Sequence, residues 1–191
     1  MGTIKTTNIE PIADNGTVTL GSSGDTFTVP SGVTIANSGT ATGFGGVNSP
    51  RFRATMSADQ NMSDNSASKI AFNTEDYDIG SCYDTSNYRF TVPSGEGGYY
   101  LINAQIHIKS DDDGQHVESF IKLYKNGSAT YYSYDNFSGT GNTNGNMLYN
   151  TQVINLSASD YIEVYGQINV TTATPQTKGG YSYFQGFKLI T

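Results

Sequence analysis

The chain has 191 residues, enough for one full domain or one domain plus an appendage. Only 36% of them are hydrophobic and 14% charged, well below the usual charged fraction of about 25%, and the balance is made up by Gly, Ser, Thr and Asn, with 14 Tyr, 9 Phe and no Trp. This composition suits β-structure with many turns and fits helix bundles poorly, while a net charge of -7 with Lys and Arg scattered singly excludes a basic nucleic-acid surface and a polybasic hold on an anionic membrane.

The start, Met1-Gly2-Thr3-Ile4-Lys5-Thr6, lacks the apolar core of a secretory signal, and no apolar run reaches the roughly 18 residues of a membrane helix. The expectation is a soluble protein made in a cytoplasm, with no membrane insertion. Residues 1–48 hold short β-like runs separated by turn clusters: Thr17-Val18-Thr19-Leu20, Thr26-Phe27-Thr28-Val29 and Val33-Thr34-Ile35. Each run carries few apolar side chains, so this segment cannot fold alone. It is expected to lean on the rest of the chain or to wind with copies of itself. Gly43 to Pro50 reads as a hinge.

From Arg51 onward strands recur at regular spacing: 51–56, 69–73, 88–93, 99–109, 117–124, 130–134, 151–156, 161–170 and 181–190. The run 99–109 alternates, with Tyr100, Ile102, Ala104, Ile106 and Ile108 on one face and Tyr99, Asn103, Gln105, His107 and Lys109 on the other. Lys125-Asn126-Gly127-Ser128 is a hairpin turn, because Asn-Gly accepts positive φ at both central positions. Phe-Thr-Val-Pro-Ser-Gly occurs at 27–32 and 90–95; its flanks do not align, so it reads as one strand-ending turn used twice. With no window of helical period, the chain is predicted to be all-β: an antiparallel two-sheet sandwich over residues 49–191, preceded by a β-rich attachment or shaft segment over 1–48.

Several strands are apolar on both faces. Val117, Ile121 and Leu123 oppose Phe120 and Tyr124; Ile162, Val164, Ile168 and Val170 oppose Tyr161 and Tyr165; Phe184 and Ile190 oppose Tyr183, Phe187 and Leu189. A monomer seldom leaves such a second face wet. A homo-oligomer with Phe120, Tyr124, Tyr165 and Phe187 in its interface is the economical reading; aromatics lying under loops are the alternative.

Six short motifs then occur in order. Phe52-Arg53-Ala54, Ile70-Ala71-Phe72-Asn73, the run Gly80 to Asp84 with Tyr88-Arg89-Phe90-Thr91-Val92-Pro93 and Gly98-Tyr99-Tyr100, Leu123-Tyr124-Lys125-Asn126-Gly127, Leu156 to Ile162, and Phe184-Gln185-Gly186-Phe187 resemble the sequence signature of the C1q-like domain. Ser159 stands where that family usually has Gly. The resemblance implies a jelly roll of the C1q and tumour-necrosis-factor superfamily, a tight homotrimer, and a binding and assembly module that is not an enzyme. Animal members follow a signal peptide and a collagen stalk, neither of which is expected here. Residues 1–48 instead resemble, in composition, the shaft and attachment pieces of bacteriophage fibre and decoration proteins.

Little chemistry is legible. His107 lies on the polar face of a strand and His116 opens another; both read as surface histidines, although a Ser-His-Asp arrangement need not be contiguous in sequence. No Gly-x-Ser-x-Gly elbow is present. Cys82, the single cysteine, excludes a disulfide framework and reads as a buried or idle thiol. Asp111-Asp112-Asp113 could gather Ca²⁺ through oxygen ligands, and the resemblance implies trimers that sometimes hold calcium near their apex. The spacing is not that of an EF-hand, however, and Lys122 stands where that loop's Glu would be. A solvated turn is the alternative, and no cofactor is expected. The stretch Tyr131 to Asn150 combines Tyr, Asn, Ser and Gly as binding loops do. Tyr131, Tyr132, Tyr134, Asn136 and Phe137 are its candidate contacts for a cell-surface glycan or a neighbouring virion protein, a mobile loop being the alternative.

The expectation is therefore a homotrimeric virion protein of a bacteriophage, a capsid decoration or short fibre, with capsid or tail proteins as partners and avidity rather than catalysis as its mechanism. The alternative is a free bacterial C1q-like glycan-binding lectin.

Overall fold

The computed structural model describes residues 17–36, 48–111, 116–137 and 143–189. The chain divides into two compact units, Met1–Phe44 and Gly45–Thr191. In the first, residues 17–36 contain two turns. Asp25 N–H donates to Ser22 O at 3.0 Å while Ser22 N–H donates to Asp25 Oδ2 at 2.7 Å, and Val33 N–H donates to Pro30 O at 3.2 Å. The three β-like runs form no strand among these residues, and Val18, Leu20, Phe27, Val33 and Ile35 are exposed. β-branched side chains favour extended backbone, but a ladder needs a partner and an apolar face to bury, and these runs supply too little of either. The expected hinge lies outside the described residues from Gly43 to Val47.

Among the described residues the second unit is a two-sheet antiparallel sandwich of thirteen strands: β1 Arg51–Thr55, β2 Gln60–Asn61, β3 Ser68–Lys69, β4 Thr74–Ile79, β5 Tyr83–Asp84, β6 Arg89–Thr91, β7 Gly98–Lys109, β8 His116–Lys125, β9 Ser128–Asn136, β10 Gly145–Leu156, β11 Tyr161–Val170, β12 Gln176–Thr177 and β13 Tyr183–Lys188. In the first sheet β7 is central. β10 pairs with its whole length along one edge, from Leu156↔Gly98 to Gly145↔Lys109. Along the other edge β13 pairs with residues 100–105 and β12 with residues 108–109. β1 follows β13, and β4 follows β1. The second sheet runs β5–β6–β11–β8–β9, with β3 also beside β11.

Strand alternation places one apolar row of each sheet inward. From β7 come Tyr100, Ile102, Ala104, Ile106 and Ile108; from β8 Ile121 and Leu123; from β11 Ile162, Val164, Ile168 and Val170, all buried. Phe52 of β1 anchors an aromatic cluster, stacked at 5.0 Å on both Tyr83 and Phe90 and edge-on to Phe184 at 4.8 Å. Gly186, opposite Phe52, is the gap that cluster needs. A Cβ there would lie 2.7 Å from Ile102 Cδ1 and 3.1 Å from both Leu101 O and Phe52 Cε1. The strand expected over 69–73 ends early. The Gln60 side chain takes the place of a neighbouring strand, donating to Lys69 O at 2.8 Å and accepting from Ala71 N–H at 2.9 Å, and Ile70 and Phe72 enter the core from irregular backbone.

Two of the sequence motifs latch together at one end. Asn126, in the Asn-Gly turn, donates to Asp160 Oδ1 at 2.8 Å and accepts from Tyr161 N–H at 2.9 Å, while Lys125 Nζ lies 2.9 Å from Asp160 Oδ2. These bonds, with Ser157 N–H, hold the Asp160 carboxyl down to about 2. Asn126 and Gly127 adopt φ of 52° and 80°, as the turn requires. Ser159 sits at φ 72°, a left-handed conformation that glycine adopts without strain. Replacing Ser159 with Gly is therefore expected to stabilise the head by about 0.5–1 kcal/mol, because relief of strain outweighs the added freedom of the unfolded chain. Denaturant midpoints of Ser159→Gly against the parent measure this, and a lower midpoint in the variant contradicts it.

Candidate interaction faces

Each sheet turns one face outward, and the two faces differ. On the second sheet, Phe120, Lys122 and Tyr124 of β8 alternate with buried Ser119, Ile121 and Leu123. Their cross-strand partners are Tyr134 and Tyr132 on β9, and Gln167, Tyr165 and Glu163 on β11. Tyr124 and Tyr165 stack at 3.9 Å, and Phe120 and Tyr134 at 5.4 Å. Lys122 Nζ lies 5.0 Å above the Phe120 ring and donates to Gln167 Oε1 at 2.5 Å. Lys69 and Glu163 pair at 2.6 Å beside them.

The first sheet presents three rows that cross its strands. Val153, Leu101, Phe187, Arg51 and Ile79 are in register from β10 to β4. Val153 and Ile79 are exposed, and Tyr99, Tyr77, Tyr149 and Tyr181 are exposed around them. The next row is a hydrogen-bonded chain. Arg53 Nη1 donates to Gln185 Oε1 at 2.8 Å, Gln185 Nε2 to Asn103 Oδ1 at 3.2 Å, and Asn103 Nδ2 to Thr151 Oγ1 at 2.5 Å. Arg53 also pairs with Asp76 at 2.7 Å and lies over Tyr183. Beyond it come Tyr149, Gln105 and Tyr183, beside a depression of about 420 Å³ lined by Arg53, Gln105, Gly179, Tyr181 and Tyr183 among others.

The four residues expected in one interface are thus divided between opposite outer faces. Phe120, Tyr124 and Tyr165 come together on the second sheet, and Phe187 lies on the first. The expected contact loop is strand instead: β9 and β10 occupy most of Tyr131 to Asn150. Tyr132 and Tyr134 are exposed on β9, whereas Tyr131 turns inward against the core and Phe137 packs on His116. The Asn-, Thr- and Gly-rich composition suggested a loop, but twelve residues of β10 find a complete ladder on β7, which overrides weak local propensity. The same reading hid Tyr149, while Val153 lay in the strand expected over 151–156 without being placed on an outer face. Extending the period-two pattern back from Val153 through Thr151, Tyr149 and Met147 was the signal that could have found them.

The chemistry-bearing residues are scattered. Cys82 is buried, its thiol pushed up by desolvation and by the carboxylate of Asp78, 3.2 Å from Sγ. Asp111 accepts from Thr174 N–H at 2.6 Å, and Asp112 and Asp113 lie outside the described residues. No group of three His, Cys, Asp or Glu side chains able to hold a metal occurs among the described residues. His107 is half-buried edge-on to Tyr181 at 5.3 Å, and burial, then Lys178 and Lys109, lower its pKa. His116, expected at the surface, is 4% exposed. Its position on the inward face of β8, capped by the Phe137 ring at 4.7 Å, explains the difference. Neither ring nitrogen has a hydrogen-bond partner among the described residues.

Comparison with known proteins matches residues 51–189 to the model of the C1q domain. Among solved structures, the globular domain of zebrafish complement 1qA protein is similar at a TM-score of 0.54 and 12% identity, covering 73% of this chain and 96% of that one. The Eiger TNF of S. frugiperda is similar at 0.51 and 14%, covering 73% and 90%. At such identities the likeness shows the fold alone: an all-β jelly roll. No curated protein matches the sequence.

Burial lowers the His116 pKa to about 4, against a small opposing pull from Asp135. The sign follows. As pH falls from 6.5 towards 4, the unfolded chain takes up a proton that the folded chain refuses, so stability is lost across that window. The loss is on the order of 2 kcal/mol. Urea midpoints at pH 7.5 and 4.5 should fall more steeply for the parent than for His116→Phe; equal falls would place the acid sensitivity elsewhere.

Proposed function

The chain belongs to the C1q domain family through residues 51–189, and from that premise we propose that it is a homotrimeric structural protein of a bacteriophage virion. It is read as a capsid decoration or short appendage whose C1q-like head is displayed for assembly or host-surface adhesion, with residues 1–48 as its attachment. C1q and tumour-necrosis-factor domains are trimeric binding and structural modules rather than enzymes.

The observation that carries the self-association is the row Val153, Leu101, Phe187, Arg51 and Ile79 on the first sheet, apolar at every position but Arg51. In a threefold ring each contact is heterologous, so this face meets a different patch of the next copy. Phe187 thereby keeps its expected interface role, while Phe120, Tyr124 and Tyr165 are left for the outside of the ring. The virion setting is supported by the Gly-, Ser-, Thr- and Asn-rich first 48 residues, which resemble phage attachment segments. Three copies on one particle would convert weak contacts into avidity. A second reading, a free bacterial glycan-binding lectin, is favoured by the exposed phenols of Tyr132 and Tyr134. Mass spectrometry of purified virions separates the two: the chain is present in virions on the first reading and absent on the second.

Native mass spectrometry of the 20.5 kDa chain at micromolar concentration should give a trimer. Leu101→Asp and Val153→Asp should shift it to monomer, since an unpaired carboxylate enters the covered row, while Tyr132→Asp should leave it trimeric. A monomeric parent, or an unchanged trimer in both first-sheet variants, overturns the assignment.

A further inference from the structure

We infer that the outer face of the second sheet is a binding face for an anionic oligosaccharide, with Lys122 as the cation that receives its carboxylate. The inference rests on the display reading above, because it takes the first sheet to be covered by neighbouring copies and the second to face outward.

Charge and position together mark Lys122. Among the described lysines, Lys69, Lys125, Lys178 and Lys188 each pair with a carboxylate: Glu163, Asp160, Asp59 and Glu96. Lys109 and Lys122 pair with none among the described residues, and of these two it is Lys122 that lies among the aromatic rings on the outer face of the second sheet. Of the carboxylates on its face, Glu163 is held by Lys69 at 2.6 Å, and Glu118 lies further along β8 opposite Asn136 and Asn169. An ammonium has three donors, and Gln167 Oε1 takes one at 2.5 Å. In a chain of net charge -7, a half-buried cation without a counterion is the complement of an external anion.

The surroundings indicate what carries that anion. Lys122 is framed by Phe120 and Tyr124 along its own strand and by Tyr132 and Tyr165 across its two neighbours. The stacked pairs Tyr124–Tyr165 and Phe120–Tyr134 fix the rings before any ligand arrives. Tyr132 and Tyr134 are 66% and 58% exposed. Phenols offer apolar area and a hydrogen-bonding tip at small entropic cost, and Asn169 adds an amide on β11, while Gln167 is held between Lys122 and Asn65. A saccharide presents C–H patches and hydroxyls at that scale. An acidic peptide would add along the edge strand β9, two strands' width from β11, whereas Lys122 lies on β8, which is paired on both sides by β9 and β11 and is reached only across the face of the sheet.

Calorimetry on the full chain tests this with 3′-sialyllactose and trigalacturonic acid as probes, lactose and the trigalacturonate methyl ester as their neutral counterparts, and hexaglutamate as the peptide anion. At least one carboxylated sugar should bind ten times more tightly than its neutral counterpart. Lys122→Gln and Tyr132→Ser should each weaken that binding at least tenfold with the trimer mass unchanged. Absence of binding to both acidic sugars, equal binding of the neutral sugars, equal binding by Lys122→Gln, or tighter binding of hexaglutamate overturns it. A trimer found in virions that binds neither acidic sugar sinks this inference alone; a monomer sinks the reading beneath it.

Discussion

The jelly roll depends on β7 being paired along both edges while its two faces differ. Twelve residues long, it carries β10 on one side and β13 with β12 on the other. Its inward side chains, from Tyr100 to Ile108, form one wall of the core. Its outward ones, Leu101, Asn103 and Gln105, supply the middle of all three rows on the first sheet. A one-residue slip of register would exchange the two sets. The slip is opposed from inside by packing at Gly186, where only a hydrogen fits against Ile102 and Phe52. It is opposed from outside by the bonds from Asn103 to Gln185 and Thr151.

The fold was legible where local and tertiary preferences agree. The alternation of residues 99–109 gave β7 and its inward face, and Asn126-Gly127 gave the β8–β9 hairpin. The odd Ser in the Leu156–Ile162 motif now has a physical reading: the latch formed by Asn126, Lys125 and Asp160 holds a turn that needs a left-handed residue at 159, and Ser occupies it under strain. Legibility failed where a ladder overrode composition, as at Gly145 to Asn150. It failed again where a side chain imitated a strand, as Gln60 does along Lys69 to Ala71. No local pattern encodes a bond made to a residue nine or eleven positions away.

The candidate faces were read less well than the fold, for a geometric reason. Period two tells which residues share a face of one strand but not which sheet that strand joins. Phe120, Tyr124 and Tyr165 share one outer face because β8 and β11 are neighbours. Phe187 has the same alternating signature but belongs to the other sheet, across the core. The burial of His116 is illegible for a similar reason, since a histidine opening a strand beside a loop gives no sign that Phe137 folds over it.

The polar row on the first sheet bears on whether that face can be covered at all. Burying polar groups without partners costs several kcal/mol each and would cancel the gain from Leu101, Val153 and Phe187. Here the chain Arg53–Gln185–Asn103–Thr151 is bonded within one subunit, and the Arg53 charge is met by Asp76. A neighbouring copy could therefore cover the row without having to supply matching donors and acceptors. The second sheet is the opposite case. Lys122 donates to Gln167 and meets no carboxylate among the described residues, so an apolar cover would leave an ammonium without a counterion. The two faces differ on this criterion: the polar row of the first sheet is completed by its own hydrogen bonds, whereas Lys122 on the second meets an amide and no carboxylate among the described residues.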